Sequence, residues 1–299
     1  MRSGMRLEGR IGNLDMPSWL VPTTLSVLVV LAFTGAFFFV VTRGALLVRA
    51  VMAGPRDPAA HVYPIYSNMR LIRLVDFQPI IAAILLFQYD RLVTIIANGL
   101  QRMNLRGRKV LITSCAFGNV MPRVAQAQQG VSHRALKEAV MPRAAQASFA
   151  AGAEKVQVVD IIENELLHAQ RKLSQMPGTF EYLRQDATRT TLPDASVDAN
   201  VVFFLLHELP HELKGEVLKE ACRVLAPGGK LYLAEFHRPH LSVLRALSWT
   251  YFKVFEPLGL ALWSTHDPLA QLQGMGFACE RRKVFFGNFQ VITATKPAA

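Results

Sequence analysis

Two hydrophobic rhythms divide the chain. From Lys109 onward, short continuous apolar runs recur at 109–115 (KVLITSC), 156–160 (VQVVD), 180–186 (FEYLRQD), 199–206 (ANVVFFLL) and 229–236 (GKLYLAEF). Such runs suit strands buried on both faces of a parallel sheet. Between them, 162–175 and 210–224 carry apolar residues at helical spacing, so strand and helix alternate. A last segment, 282–296 (RKVFFGNFQVITATK), reads as two strands joined by a Gly-Asn turn, a hairpin signal. The pattern predicts an α/β fold, a doubly wound sheet of seven strands in which five are followed by a closing hairpin.

Ahead of the sheet the pattern differs. Residues 19–41 (WLVPTTLSVLVVLAFTGAFFFVV) hold 23 positions without a charge. A helix of that length spans a bilayer core of roughly 30 Å, and the run exceeds the apolar part of a signal peptide. It predicts a single-pass N-terminal transmembrane helix. Arginines flank both ends, so charge does not set its orientation. After a proline-rich break at 53–64, residues 65–104 read helical, with an apolar stretch at 80–87 too short to span a membrane. The expected organisation is a head and anchor over 1–44, a helical linker or substrate-side segment over 45–104, and the sheet domain over 105–299. Within the latter, MPRVAQA (121–127) recurs as MPRAAQA (141–147), a local duplication inside 121–147. It reads as an extra helix with Ser132 as its N-cap. Gly118 and Asp160 stand 42 residues apart, and removing one copy restores the roughly 20-residue spacing usual in a dinucleotide-type βαβ unit.

Charge and cysteine content narrow the partners. A net charge of +11 beside an apolar anchor favours attraction to anionic membrane lipid. Nucleic acid is the competing partner for a basic chain, but no dense Lys/Arg run or nucleic-acid module is present, so none is expected. Cys115, Cys222 and Cys279 have no paired spacing, which argues against a disulfide framework or a cysteine-based zinc site.

His207, Glu208 and His211 form His-Glu-x-x-His, the zinc-hydrolase string. That chemistry needs both histidines one turn apart on one helix. Pro210 between them opposes a continuous helix, and Leu209 before it is pushed toward extended geometry. The stretch therefore reads as strand, loop and new helix, not as a protease.

Ligands of open parallel sheets bind beyond the carboxyl ends of the strands. Those ends carry Ser114, Cys115 and Gly118, then Asp160, then Gln185 and Asp186, then His207 and Glu208, then His237 and His240. Gly118 suits a close backbone approach to a ligand. Asp160 offers two carboxylate oxygens to a ribose diol, or caps the next helix. Gln185 and Asp186 suit an adenine edge. His207, Glu208 and His237 are candidates for proton transfer or metal ligation, with loop hydrogen bonding as the plain alternative. Trp249, Tyr251, Phe252 and Phe255 line an apolar pocket, dip into lipid, or pack in the core.

Several motifs together carry a resemblance. The segment ACRVLAPGGKLYL (221–233) resembles the turn typical of S-adenosylmethionine-dependent methyltransferases. VFFLLHELP, EACRVLAPGGKL, FHRPH, EPLGLALW and FFGNFQV together resemble the RquA family of rhodoquinone biosynthesis proteins over roughly 61–296. The resemblance implies a class I methyltransferase-like (Rossmann-like) sheet and S-adenosyl-L-methionine bound by 105–299. It also implies conversion of ubiquinone to rhodoquinone at the membrane, an amino group replacing a ring methoxy group, with Mn2+ assisting. The catalytic domain would then face the cytoplasm or matrix, where the cofactor is dissolved. Phe117 and Asn119 stand where that family carries Tyr and Asp. The alternatives are a conventional methyltransferase acting on a quinone or other lipid, and a non-catalytic membrane protein on a degenerate methyltransferase fold.

Overall fold

The computed structural model describes residues 23–32, 66, 68–105, 107–115, 117–129, 155–176 and 178–298. The chain divides into two units, Met1–Val40 and Val41–Ala299. In the first, helix α1 (Thr23–Ala32) is apolar and exposed. No single helix among the described residues is long and apolar enough to cross a membrane. Most of the uncharged run at 19–41 lies outside the described residues, as do Ser132 and the second copy of the duplication.

Among the described residues of the second unit, three helices precede the sheet: α2 (Met69–Val75), α3 (Gln78–Ile84) and α4 (Tyr89–Arg102). Asn68 caps α2 by accepting from Arg70 N. The apolar stretch at 80–87 is not one continuous helix, and α3 and α4 meet at a bend of 96°. It breaks at 85–88, and α4 buries Leu92, Val93, Ile96 and Leu100 along one stripe.

Seven strands follow: β1 (Val110–Thr113), β2 (Val156–Asp160), β3 (Phe180–Arg184), β4 (Val197–Phe203), β5 (Leu225–Phe236), β6 (Ala278–Val284) and β7 (Phe289–Thr295). Their order is β3-β2-β1-β4-β5-β7-β6. The first five pair in parallel, and the β6–β7 hairpin adds antiparallel to β5. The hairpin turn is Phe285–Asn288, two residues wider than Gly-Asn alone, with Phe285, Phe286 and Gly287 all at positive φ. β5 starts earlier than its apolar run, because Leu225 pairs with Val197 before a register shift re-aligns the two strands.

Side chains alternate between two cores, as the period of a strand requires. Val110 and Ile112 of β1 face α4, α5 (Val120–Gln128) and α6 (Glu163–Leu173), while Leu111 faces α7 (His211–Arg223) and α9 (Pro268–Gly274). The first copy of the duplicated heptapeptide lies within α5. Between β5 and α9, helix α8 (Ser242–Phe255) and a 3-10 stretch, Pro257–Trp263, cover the carboxyl edge near His207. Helices on both faces of central parallel strands leave only the strand ends open to a ligand.

The disputed histidine stretch is settled by its backbone. Leu206–Glu208 is a single 3-10 turn, Leu209 is extended (φ −90, ψ 150), Pro210 is the N-cap and His211 opens α7. Lys214, fully buried, holds this break by donating to the carbonyls of Leu206 and Leu209, both at 2.5 Å. Burial pushes its ammonium down to about 8, although Glu235 and two other carboxylates nearby oppose the shift.

Candidate active site

The carboxyl ends of β1, β2 and β4 open a cleft that is continuous with solvent. Ser114, Cys115, Asp160, Asp186 and Glu208, all read from the sequence, line it, together with Tyr66 and Glu165.

Asp160 is the hub. Its Oδ2 accepts from Cys115 N (2.7 Å) and Ser114 Oγ (3.2 Å), and its Oδ1 from Ile162 N (2.8 Å). It does not cap α6, whose N-cap is Ile162. Each carboxylate oxygen has two lone pairs, so Oδ1 keeps an acceptor site for a ligand hydroxyl. Burial raises the Asp160 pKa, and the loop donors oppose that rise. Ser114 sits at φ 72, a left-handed conformation costly for a side-chain-bearing residue and concentrated at functional sites.

Gly118 has a different role from the one its sequence position suggests. It does not line the cleft. At φ 80, its missing side chain makes room for the Tyr89 hydroxyl, which donates to Phe117 O (3.0 Å) and accepts from Val120 N (2.9 Å). The Gly118 peptide is clamped on both sides. Its N–H donates to Asp76 Oδ1 (2.5 Å), and its carbonyl accepts from Lys172 Nζ (2.7 Å), which also bonds Asp76. Burial alone would raise the Asp76 pKa, but the donors from His168, Lys172 and Gly118 hold it below the usual range. Gly118→Ala is therefore expected to destabilise the fold by about 1–3 kcal/mol through backbone strain alone, with overlap against Tyr89 added. Chemical denaturation checks this, and an unchanged midpoint would contradict it.

Gln185 is turned away as well. Its amide is closed on Thr191, donating to Oγ1 (2.7 Å) and accepting from N (2.8 Å), so it supports the loop and does not face a ligand. Asp186 remains on the cleft, its Oδ1 accepting from the Thr188 N–H and hydroxyl.

Glu165 was not singled out from the sequence. It is 3% exposed, lines the cleft, and its Oε1 has no hydrogen-bond partner. Burial, then the charge of Asp160, pushes its carboxyl up to about 9. At neutral pH Glu165 therefore keeps its proton beside Asp160. The sequence did hold a signal. Glu165, Ala169 and Leu173 are four residues apart, which puts an acid on the buried stripe of α6.

His207 and Glu208 part company. His207 points into the protein, with Nδ1 donating to Glu235 Oε1 (3.1 Å) and Nε2 lying 3.4 Å from Glu256 Oε2, in ion-pair range without hydrogen-bond geometry. Burial lowers its pKa, but Glu235 and Glu256 outweigh burial and bring it up to about 9. His207 is a buried cation held between Glu235 and Glu256, and it does not line the cleft. Glu208 does line it. Its Oε1 accepts from the Tyr66 hydroxyl (2.6 Å), and burial brings its carboxyl up to about 7 against the opposing pull of His207 and Tyr66. Glu235 and Glu256 lie 28 and 49 residues beyond His207, a separation that conceals the cluster in the sequence.

His237 is not brought to His207 or to the cleft. It bonds the Gly287 carbonyl (2.8 Å) at the hairpin turn, and burial lowers its pKa. His240 packs on Phe286, and His211 packs on His266. A manganese or zinc ion does not fit these residues. Among the described residues no group of three or more His, Cys, Asp or Glu is arranged to hold a metal ion, and both ring nitrogens of His207 face carboxylates.

S-adenosylmethionine fits better. The cleft offers a buried acid with a spare acceptor, an orphaned acid beside it, and apolar walls from Ile161, Leu205 and Leu209.

Comparison with known proteins points the same way. Residues 142–233 match the family model for a methyltransferase domain. Demethylmenaquinone methyltransferase of Clavibacter sepedonicus is 31% identical over 171 residues, covering 51% of this chain and 69% of that protein. Ubiquinone/menaquinone biosynthesis C-methyltransferase UbiE of Pseudomonas fluorescens (strain SBW25) is 32% identical over 81 residues, 27% of this chain. The match spans 31% of that relative's length. Among solved structures, the CurJ carbon methyltransferase superposes with a TM-score of 0.56 at 16% identity, covering 95% of this chain and 72% of that one, a likeness of fold.

Proposed function

This chain belongs to the class I S-adenosylmethionine-dependent methyltransferases, and from that premise we propose that it modifies the ring of a lipophilic quinone at the membrane. The reaction proposed is replacement of a ubiquinone methoxy group by an amino group, as the resemblance to rhodoquinone biosynthesis proteins implies. The amine of S-adenosylmethionine would add to the ring carbon, and the methoxy group would leave as methanol with the proton the amine gives up. The N–Cα bond would then break by elimination with loss of a Cβ proton. The observation that carries a reaction at this cleft is Glu208, a partly buried carboxyl near 7 that shares the cavity with Asp160. A base whose pKa matches the working pH is what proton transfer to or from a ring substituent requires.

Bound S-adenosylmethionine would supply its amine for amination of the ring, or its sulfonium methyl for ring methylation. Asp160 holds the ribose through the free lone pair of Oδ1, and Ser114 and Cys115 fix that carboxylate. Asp186 faces the adenine edge. Glu165, neutral at pH 7, donates a hydrogen bond into the cleft. Glu208 takes a proton at the reacting ring, and Tyr66 keeps its Oε1 in place. The uncharged run at 19–41 and the positive net charge support action at a membrane.

Ring C-methylation is the second reading, favoured by the names of the curated relatives, which are quinone C-methyltransferases. Expressing the chain in a ubiquinone-containing host and extracting its quinones separates the two. An amino group in place of a methoxy group supports the first reading, and an added ring methyl supports the second. An unchanged quinone pool with the protein folded and present contradicts both.

A further inference from the structure

Helix α8 is poorly covered by the rest of the fold. From Ser242 to Tyr251 none of its residues is buried, and Phe252 is the first to enter the core. The uncovered face is apolar. Val243 and Leu247, one turn apart, are 69% and 63% exposed, and Trp249 and Leu241 are about half exposed at 49% and 45%. Four such residues together exceed the scattered apolar exposure normal on a soluble surface.

The turn of the β6–β7 hairpin extends this face. Ser248 Oγ donates to Asn288 Oδ1 (2.7 Å), and His240 N donates to Phe286 O (3.0 Å). The start of α8, the loop before it and the hairpin turn are thus joined. Phe286, itself 52% exposed, is displayed there at φ 52, directly after Phe285 at φ 49. Two successive left-handed residues without glycine are costly and persist where they serve a purpose.

The charge of the face identifies its occupant. α8 contains no acid, and Arg238, Arg245 and Lys253 line one groove with Trp249 along the exposed side of the helix. Lys253 Nζ lies 5.5 Å from the centroid of the Trp249 ring. Aliphatic residues between arginine, lysine and tryptophan match the boundary between acyl chains and anionic headgroups. A second copy of the chain fits less well, because a two-fold contact would bring the same cations together. The face also lies at the carboxyl edge of the sheet, the edge on which the cleft opens. His237 follows Phe236 and Asn288 precedes Phe289, the paired ends of β5 and β7.

We propose that α8 and the β6–β7 turn form a docking face for an anionic lipid bilayer, which presents the cleft to substrates dissolved in the membrane. The docking itself is independent of turnover, while its purpose rests on the quinone reading.

The test uses the full chain with vesicles of phosphatidylcholine and phosphatidylglycerol in roughly equal parts, the acyl chains brominated to quench buried tryptophan. The difference in emission between the parent chain and Trp249→Phe isolates Trp249. That component is expected to fall at least about twofold on the brominated vesicles, in keeping with insertion of an interfacial helix. Trp249 emission that brominated chains leave unchanged and aqueous iodide quenches would overturn docking. A second variant, Val243→Glu with Leu247→Glu, is expected to lower conversion of a long-chain quinone in vesicles about tenfold, with conversion of a short-chain water-soluble quinone at the parental rate. Equal loss on both substrates, or a parental dimer that the double variant dissociates, would also overturn it. If no quinone is converted while Trp249 is quenched in the bilayer, docking is supported and the quinone reading fails.

Discussion

Asp160→Ala is expected to weaken S-adenosylmethionine binding about a hundredfold, equivalent to about 3 kcal/mol. The carboxylate serves the cleft in two ways. It accepts the N–H groups of Cys115 and Ile162 and the hydroxyl of Ser114, so it fixes the loop that follows β1. It also leaves a lone pair for the ribose. Without it the Cys115 N–H is left buried and unpaired, a loss of about 1–3 kcal/mol for such a donor, and Ser114 loses the partner that holds it at positive φ. Asp160→Asn is expected to bind poorly as well, because an amide presents donors where an acceptor is needed. Calorimetry on the folded variants checks this, and parental affinity in Asp160→Ala would remove Asp160 from the cofactor site.

Glu208→Gln is expected to lower turnover by about 10²–10⁴-fold, the range for loss of a general base, while cofactor affinity stays near the parental value. The pH dependence follows from the raised carboxyl. The parent rate is expected to rise through about pH 7 as Glu208 loses its proton, and the variant is expected to lack that limb. The sign for stability is opposite. The folded value of about 7 exceeds the ordinary 4.5, so the protonated form stabilises the fold below pH 4.5, and that contribution is lost as pH rises through 7. The neighbouring histidines act as controls. His207→Ala leaves Glu235 buried without its cationic partner and is expected to cost about 3–5 kcal/mol of stability. His211→Ala removes an exposed side chain at the start of α7 and is expected to change stability by less than about 0.5 kcal/mol. A zinc hydrolase would instead lose metal and activity equally in both histidine variants.

The sheet was legible because its strands are apolar on both faces. β2 falls on 156–160 as the pattern predicts, and α6 and α7 lie within two residues of their expected bounds. The break at Pro210 was also legible, since proline acts on its immediate neighbours. Contacts across the chain were not. Gly118 looked like a ligand contact, but its close neighbour is Tyr89, 29 residues earlier in the sequence. Gln185 looked free at a strand end, but it is closed on Thr191. His207 looked like a catalyst until Glu235 and Glu256 converged on it from β5 and the segment after α8. Strand-end position identifies which residues are near a cleft. Whether each side chain faces it depends on partners that no local pattern encodes. Glu165 is the exception, an acid on an apolar helical stripe that periodicity alone exposes.

The quinone reading is tested most directly by turnover in a defined system. The purified full chain is reconstituted into ubiquinone-containing vesicles with S-adenosylmethionine that carries heavy carbon in its methyl group and heavy nitrogen in its amine. The extracted quinone is then analysed by mass spectrometry. Heavy nitrogen on the quinone ring is the expected result, in the parent chain and not in Glu208→Gln. A quinone pool without either label, from protein shown by calorimetry to bind the cofactor, would contradict a quinone-modifying role.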